Sequence, residues 1–423
     1  MSRLATRPPA NREIAALWIA MIAVHGVLGW ISTFHYIRPM NDVTTVYRGW
    51  IDDAIAGSIP GIHENFVYPV GSLVPMWLAD LFGGHDRYTT AWVVLVLVLN
   101  LWALWWLTIR RKDAADARLR RRAAWFWVAF TALLGPIALG RIDAITVPLA
   151  IVGLLSLRER PALAGALFTA GAWLKVWPAA LFAAAFVAIR QRWLLVSGAV
   201  IVCAMVFVGV LAIGGTAAIP HALSFITEQT DRGLQLESTA ASVFLMLRVL
   251  GAGGYTVAFD RTILTQQIAG PGTEYVGDLL TPAMFLVVLL LLALSWWAQR
   301  RGVDLATRLP MLALGLVTAF IVVNKVGSPQ FIVWLAPVMV FGLVWSGRRF
   351  EVVAIVSLLI AALTQLIYPW YYWQIADALP AGAVLLLARN LLLVGLLIWA
   401  ILRLVRPRAD RRTTRAIRAA RAD

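Results

Sequence analysis

One cysteine and three lysines among 423 residues close off several chemistries at the outset. Cys203 is alone, so no internal disulfide can form and no thiolate zinc site is suggested. The five histidines, His25, His35, His63, His85 and His221, show no metal-ligand spacing, and no glycine-rich phosphate loop, Ser/His/Asp ordering or HExxH pattern occurs. Acidic residues are scarce as well, 22 against 37 lysines and arginines. In a soluble protein that imbalance would suggest a nucleic-acid partner. The placement of the charges argues for another reading.

What the chain has instead is apolar length. Hydrophobic residues make up 61%, mean hydropathy is +0.78 and 20 tryptophans occur, far beyond the range of soluble domains. Apolar stretches fall at 14–34, 89–109, 123–139, 142–157, 161–172, 176–190, 193–213, 280–298, 308–323, 330–346, 351–368 and 383–402. This pattern predicts an all-α polytopic membrane protein with 11–12 spans. The stretch 161–172 is too short to span alone and reads as a tilted or broken helix continuing into 176–190.

The basic residues sit in alternate gaps: Arg3, Arg7 and Arg12, then 110–122, then Arg158 and Arg160, Arg190 and Arg192, Arg300 to Arg308, Arg348 and Arg349, and the tail from Arg403 to Arg421. By the positive-inside rule these gaps face the cytoplasm. The expectation is a multi-pass plasma-membrane protein with both termini cytoplasmic, an uncleaved first span, and membrane lipids rather than nucleic acid as charged neighbours. Residues 1–402 then form one membrane domain with long outer connections at 35–88 and 214–279, and 403–423 a basic cytoplasmic tail. No repeat at a fixed period is visible.

The outer side collects the unusual residues: Asp42, Arg48, His63, Tyr68, Arg141, Asp143, Lys175, Arg232, Glu237, Asn324, Lys325, Gln330 and Arg389. Lys175 ("GAWLKVWPAALF") and Lys325 ("IVVNKVGSPQFIVW") lie in apolar sequence, where an ammonium facing hydrocarbon costs roughly 2.5 to 3.5 kcal/mol. Snorkelling to the headgroups would explain either one alone. With Arg232 and Arg389 they can also make a cationic pocket suited to phosphate. Asp42 can cap a helix beginning at "VTTVYRGW", pair with Arg38 or Arg48, or act as a base. Asp143, in "GRIDAITVP", reads first as a helix cap paired with Arg141. The aromatics of "YPWYYW" at 368–373 fit an interfacial belt better than a sugar platform.

A carboxylate among cations, on a face without ATP or nucleotide sugars, suits a lipid-phosphate substrate. The cations would hold the phosphate while the aspartate takes the proton of an acceptor hydroxyl, and the sugar would transfer by direct displacement with inversion. No metal is needed for this, because fixed cations carry the developing charge. A flippase for a lipid-linked sugar would use similar parts, but near the midplane and between repeats.

In their order, "NDVTTVYRGW", "ENFVYPVGSLVPMWL", "GRIDAITVPLA", "RPALAGALFTAGAWLKVWPAALF", "RGLQLES", "NKVGSPQFIVWLAP" and "LLLARN" resemble the GT-C membrane glycosyltransferases, specifically actinobacterial glycosyltransferase family 87. The resemblance implies a GT-C-type bundle, a polyprenyl-phosphate sugar donor, no cofactor, and α-mannosyl or related pentosyl transfer to a cell-envelope glycolipid or lipoglycan. It implies Asp42 as the catalytic aspartate and Lys175, Arg232, Glu237, Asn324, Lys325 and Gln330 as motif residues; the outer-side group adds Tyr68, Arg141, Asp143 and Arg389 as further substrate-binding candidates. Two departures stand out: Val70 replaces the second proline of the family's "YPP", and no histidine follows His221, so no role of a late-loop histidine carries over.

Overall fold

The structure, a computed structural model, describes residues 9–109, 114–228, 232–261 and 264–405; most of the basic tail, 406–423, lies outside the described residues. The chain runs through α1 (Pro9–Phe34), α2 (Arg48–Ile55), α3 (Leu73–Thr108), α4 (Ala114–Leu134), α5 (Asp143–Ser156), α6 (Pro161–Leu174), α7 (Pro178–Ala188), α8 (Arg192–Gly214), α9 (Ala218–Leu223) and α10 (Thr239–Val249). A hairpin, β1 (Thr256–Asp260) and β2 (Thr265–Ala269), precedes α11 (Thr273–Arg300), α12 (Leu305–Val322), α13 (Leu335–Ser346), α14 (Glu351–Gln365), α15 (Tyr372–Ala376) and α16 (Pro380–Val405).

Among the described residues seven helical stretches are long and apolar enough to cross a membrane, and the longest, Pro329–Trp370, holds both α13 and α14. The molecule is an all-α polytopic membrane protein. Every apolar stretch read from the sequence lies on a helix: α1, the second half of α3, α4 to α8, α11 to α14, and α16. The break expected after residue 172 is real. Lys175 is extended (φ −157°, ψ 132°), and Pro178 opens α7, where its missing N–H could not have continued α6.

Helices α5, α6 and α7 have 14, 14 and 11 residues, or roughly 21, 21 and 16 Å at 1.5 Å per residue, against about 30 Å for a hydrocarbon core. Glycine brings α6 and α8 together: a Cβ on Gly165 would stand 1.9 Å from the Leu195 carbonyl oxygen, and one on Gly198 1.9 Å from that of Ala162. Small residues facing each other let two backbones touch, the usual way helices associate where lipid weakens the hydrophobic drive.

Ion pairs align the bundle. At one end Arg121 of α4 meets Glu13 of α1 at 2.6 Å and Arg122 meets Glu351 of α14 at 3.0 Å. The segments that follow α1, α4 and α14 meet at the far end, where Arg141 donates to the Pro39 carbonyl and His35 packs edge-on against Trp370. The antiparallel hairpin, with Val257 opposite Ile268, was not foreseen. Leu234 and Leu236 bond to β2 and are buried with Ile268, Leu245 and Leu386, so the hairpin roofs α10 and α16.

Candidate active site

At the far end Asp42 opens a π-helical stretch, Asp42–Tyr47, that makes no side-chain cap. Its carboxylate pairs instead with Arg141, Nε to Oδ2 at 2.9 Å. Neither partner considered from sequence is used: Arg48 lies 3.9 Å from Asp52, and Arg38 is exposed. The Arg141 guanidinium also donates to the carbonyls of Pro39 (2.8 Å) and Gly140 (2.7 Å). Burial acts to lower the Arg141 value, but Asp42 together with Tyr368, Tyr47 and Tyr68 more than offsets this, so the cation is held above its ordinary range. The pair is asymmetric, with the Arg141 side chain 10% exposed and that of Asp42 34%. The carboxylate is the more open member of the pair.

Aromatic rings wall the pair. The Tyr47 hydroxyl accepts from the Ile142 amide at 3.1 Å, and Tyr47 meets Trp50, Tyr68 and Trp92 with centroids 5.4 to 6.2 Å apart. Lys175, at the tip of the α6–α7 hairpin, sets its ammonium 4.0 Å from the centre of the Tyr68 ring, a cation–π contact that holds the charge without neutralising it. Lys175 and Arg141 are the cations acting on Asp143. Asp42, Arg141, Tyr47, Tyr68, Lys175 and Asp143 therefore form one closed ring of neighbours.

Asp143 departs from the cap and Arg141 pair expected of it. It is 1% exposed, accepts from Trp334 Nε1 at 2.6 Å through Oδ1, and makes no side-chain cap. Trp334 in turn stacks on Trp177 at 5.6 Å, and Trp177 donates to Thr146 at 2.9 Å. This packing ties the start of α5 to the hairpin tip and to the segment 329–334.

A second group lies beside the first. Glu237 and Arg389 pair with each other at 3.0 Å, their side chains 5% and 3% exposed, and Arg389 also donates to the Glu237 carbonyl and to Asn390. Burial raises the Glu237 carboxyl above the ordinary carboxylate range and Arg389 pulls it back. Two tyrosines join the groups: Tyr368 stands within hydrogen-bonding reach of Arg141, and Tyr372 feels Glu237. Sequence reasoning passed over Tyr368 and Tyr47. Of "YPWYYW", Trp370, Tyr371 and Trp373 are 42 to 47% exposed as a belt would be, whereas Tyr368 turns inward.

The segment 324–330 presses on the loop 232–238 before α10. The Gln235 amide donates to the Lys325 carbonyl at 3.0 Å; Asn324 accepts from the Val326 amide at 2.9 Å and donates to Phe320; Gln330 is buried and accepts from Ser328. Arg232 is half-buried at the edge of this group. A Cβ on Gly327 would stand 2.0 Å from the Ser238 backbone nitrogen. Gly327→Ala is therefore expected to push the two loops apart and lower turnover by about 10²-fold, the penalty of a displacement near 1 Å, with the helical content unchanged by circular dichroism.

Among the described residues no group of three or more His, Cys, Asp or Glu could hold a metal ion. The sequence model of glycosyltransferase family 87 matches residues 66–324, a span that includes Tyr68, Arg141, Asp143, Lys175, Arg232, Glu237 and Asn324, with Asp42, Lys325, Gln330 and Arg389 beyond its ends. No curated protein matches the sequence.

Proposed function

Because the chain belongs to glycosyltransferase family 87, we propose that it moves a sugar, mannose or a related pentose, from a polyprenyl-phosphate carrier to a cell-envelope glycolipid or lipoglycan. The reaction takes place on the extracytoplasmic side of the plasma membrane, with both termini in the cytoplasm. The observation that carries this reading is the half-exposed carboxylate of Asp42 beside Arg141, with a second cation, Lys175, held on Tyr68 in the same aromatic-walled cluster.

In the transfer, the acceptor hydroxyl oxygen forms a bond to the anomeric carbon as its proton passes to Asp42. The bond from that carbon to the phosphate oxygen breaks, and its electron pair leaves with the phosphate. Lys175 and Arg141 meet the charge that develops there. Attack opposite the leaving group inverts the anomeric configuration. Arg141 has a second duty, since its carbonyl contacts fix the guanidinium that in turn aims Asp42.

Purified protein in nanodiscs, given polyprenyl-phosphate mannose and a membrane-lipid extract, is expected to yield a mannolipid whose new linkage is of opposite anomeric configuration by NMR. Retained configuration would overturn the displacement. No product from mannose or pentose carriers would overturn the donor assignment. Lys175→Met, which keeps the length of the side chain and removes its charge, is expected to lower kcat by about 10²–10³-fold, the effect of deleting one preorganised charge-stabilising donor, with KM far less affected.

A further inference from the structure

The opposite end of the bundle carries charge that the protein leaves unbalanced. Three consecutive arginines of α4 there are answered by carboxylates: Arg120 by Asp116 at 2.7 Å, Arg121 by Glu13 and Arg122 by Glu351. Those around the start of α12 are not. Arg308 is 3% exposed, donates to the Ala188 carbonyl at the end of α7 (2.8 Å) and to Gln299 in the last turn of α11, and its buried Nε has no partner. Among the described residues no carboxylate lies within ion-pairing distance of Arg190, Arg192, Arg300, Arg301, Arg308 or Arg349. Asp304, the nearest acid in sequence to Arg308, is occupied in capping α12 through the Thr307 amide at 2.7 Å.

Arg308 fixes where these groups meet. Its two contacts bring the end of α7, with Arg190 and Arg192 just beyond it, to the end of α11, where Arg300 and Arg301 follow Gln299. Arg349 arrives from the α13–α14 link and donates to Thr307 at 3.2 Å. A buried cation without a countercharge costs several kcal/mol, which calls for an anion from outside the chain.

The form of that anion is legible in the side chains. Arg300 lies over the Trp296 ring at 3.8 Å and Arg301 over Trp297 at 4.0 Å. Stacking occupies the face of a guanidinium and leaves its in-plane N–H groups directed outward, the fork that phosphate oxygens accept. Trp296 and Trp193 are 50% and 73% exposed beside these arginines, as rings at a membrane interface are. Charge above and acyl-facing rings below suit a lipid headgroup better than a free ion.

We propose that the ends of α7, α8, α11 and α12 form a binding site for the phosphodiester headgroup of an anionic phospholipid in the cytoplasmic leaflet. The site is separate from the transfer reaction, and its test does not depend on that reading. Protein released from nanodiscs of equal cardiolipin and phosphatidylcholine is expected to carry cardiolipin in native mass spectra. Delipidated wild type is expected to rise in Tm as cardiolipin or phosphatidylglycerol is titrated. In Arg190→Gln/Arg300→Gln/Arg301→Gln the apparent Kd should weaken on the order of a hundredfold, from about 1 kcal/mol per basic residue at an anionic surface. Arg87→Gln/Arg261→Gln, which removes two exposed arginines remote from this end, should bind as the wild type does. Equal retention of phosphatidylcholine, equal stabilisation by inorganic phosphate, or equal weakening in both variants would each overturn the assignment; the wild-type spectra decide it even if the triple variant fails to fold.

Discussion

Asp42→Asn is expected to lower turnover by roughly 10²–10⁴-fold, the contribution of a positioned general base, in a protein that folds and binds its donor as before. The carboxamide has nearly the shape of the carboxylate, and its oxygen can still accept from Arg141, so the anchor to the Pro39 and Gly140 carbonyls survives. What it cannot do is receive a proton. Because the Asp42 side chain is the more open member of its pair, the loss falls on chemistry and not on packing. Single-turnover transfer in nanodiscs measures this directly, and equal rates for the two proteins would remove Asp42 from the proton transfer. Asp42→Ala should be worse, since Arg141 then loses its oxygen partner as well.

The second large effect concerns stability. Glu237→Ala leaves the Arg389 guanidinium, 3% exposed, without its countercharge, and breaking a buried pair from one side costs roughly 3–5 kcal/mol. A marked fall in Tm in detergent is expected. Glu237→Gln/Arg389→Met, which removes both charges at similar volume, should recover most of that stability, because apolar replacement of a whole buried pair is often neutral. Turnover of the double variant then separates two roles. Recovery of transfer along with stability would make the pair a positioning element that supports Tyr372 and Tyr368; stable protein with transfer still lost would return Glu237 to the substrate contacts.

The positions of the apolar helices and the charged residues now found near Asp42 were legible in the sequence, Tyr47 and Tyr368 were not, and there is a physical reason. Membrane helices announce themselves through continuous apolar length, and a lysine within such a run stands out by its desolvation penalty; Lys175 was visible on both counts. Pairings were not legible. Asp42 had nearby arginines at positions 38 and 48, and its choice of Arg141 depends on the segments after α1 and α4 meeting, which no local pattern encodes. Arg389 looked like a free cation for phosphate, yet α10 and α16 bring Glu237 against it. Tyr368 shared a string of aromatics with three outward rings, and only the turn after α14 separates it from them. The hairpin was missed because "TVAFD" and "TQQIA" are short and mixed, and their pairing is secured by contact with Leu234 and Leu236.

The brevity of α5, α6 and α7 has a consequence for where the reaction sits. In the proposed orientation their starting and ending arginines, Arg158, Arg160, Arg190 and Arg192, hold one end at the inner headgroups. Helices of roughly 16 to 21 Å would then stop short of the opposite surface, which in that orientation would set Asp143 and Lys175 below the level of the outer headgroups. A lipid-phosphate donor, as proposed, would then not have to lift its phosphate into water; its headgroup would sink. Lengthening the acyl chains of the surrounding lipid would increase that depth at fractions of a kcal/mol per ångström of mismatch, so turnover in nanodiscs should pass through an optimum as chain length is varied, while Tm follows a broader course.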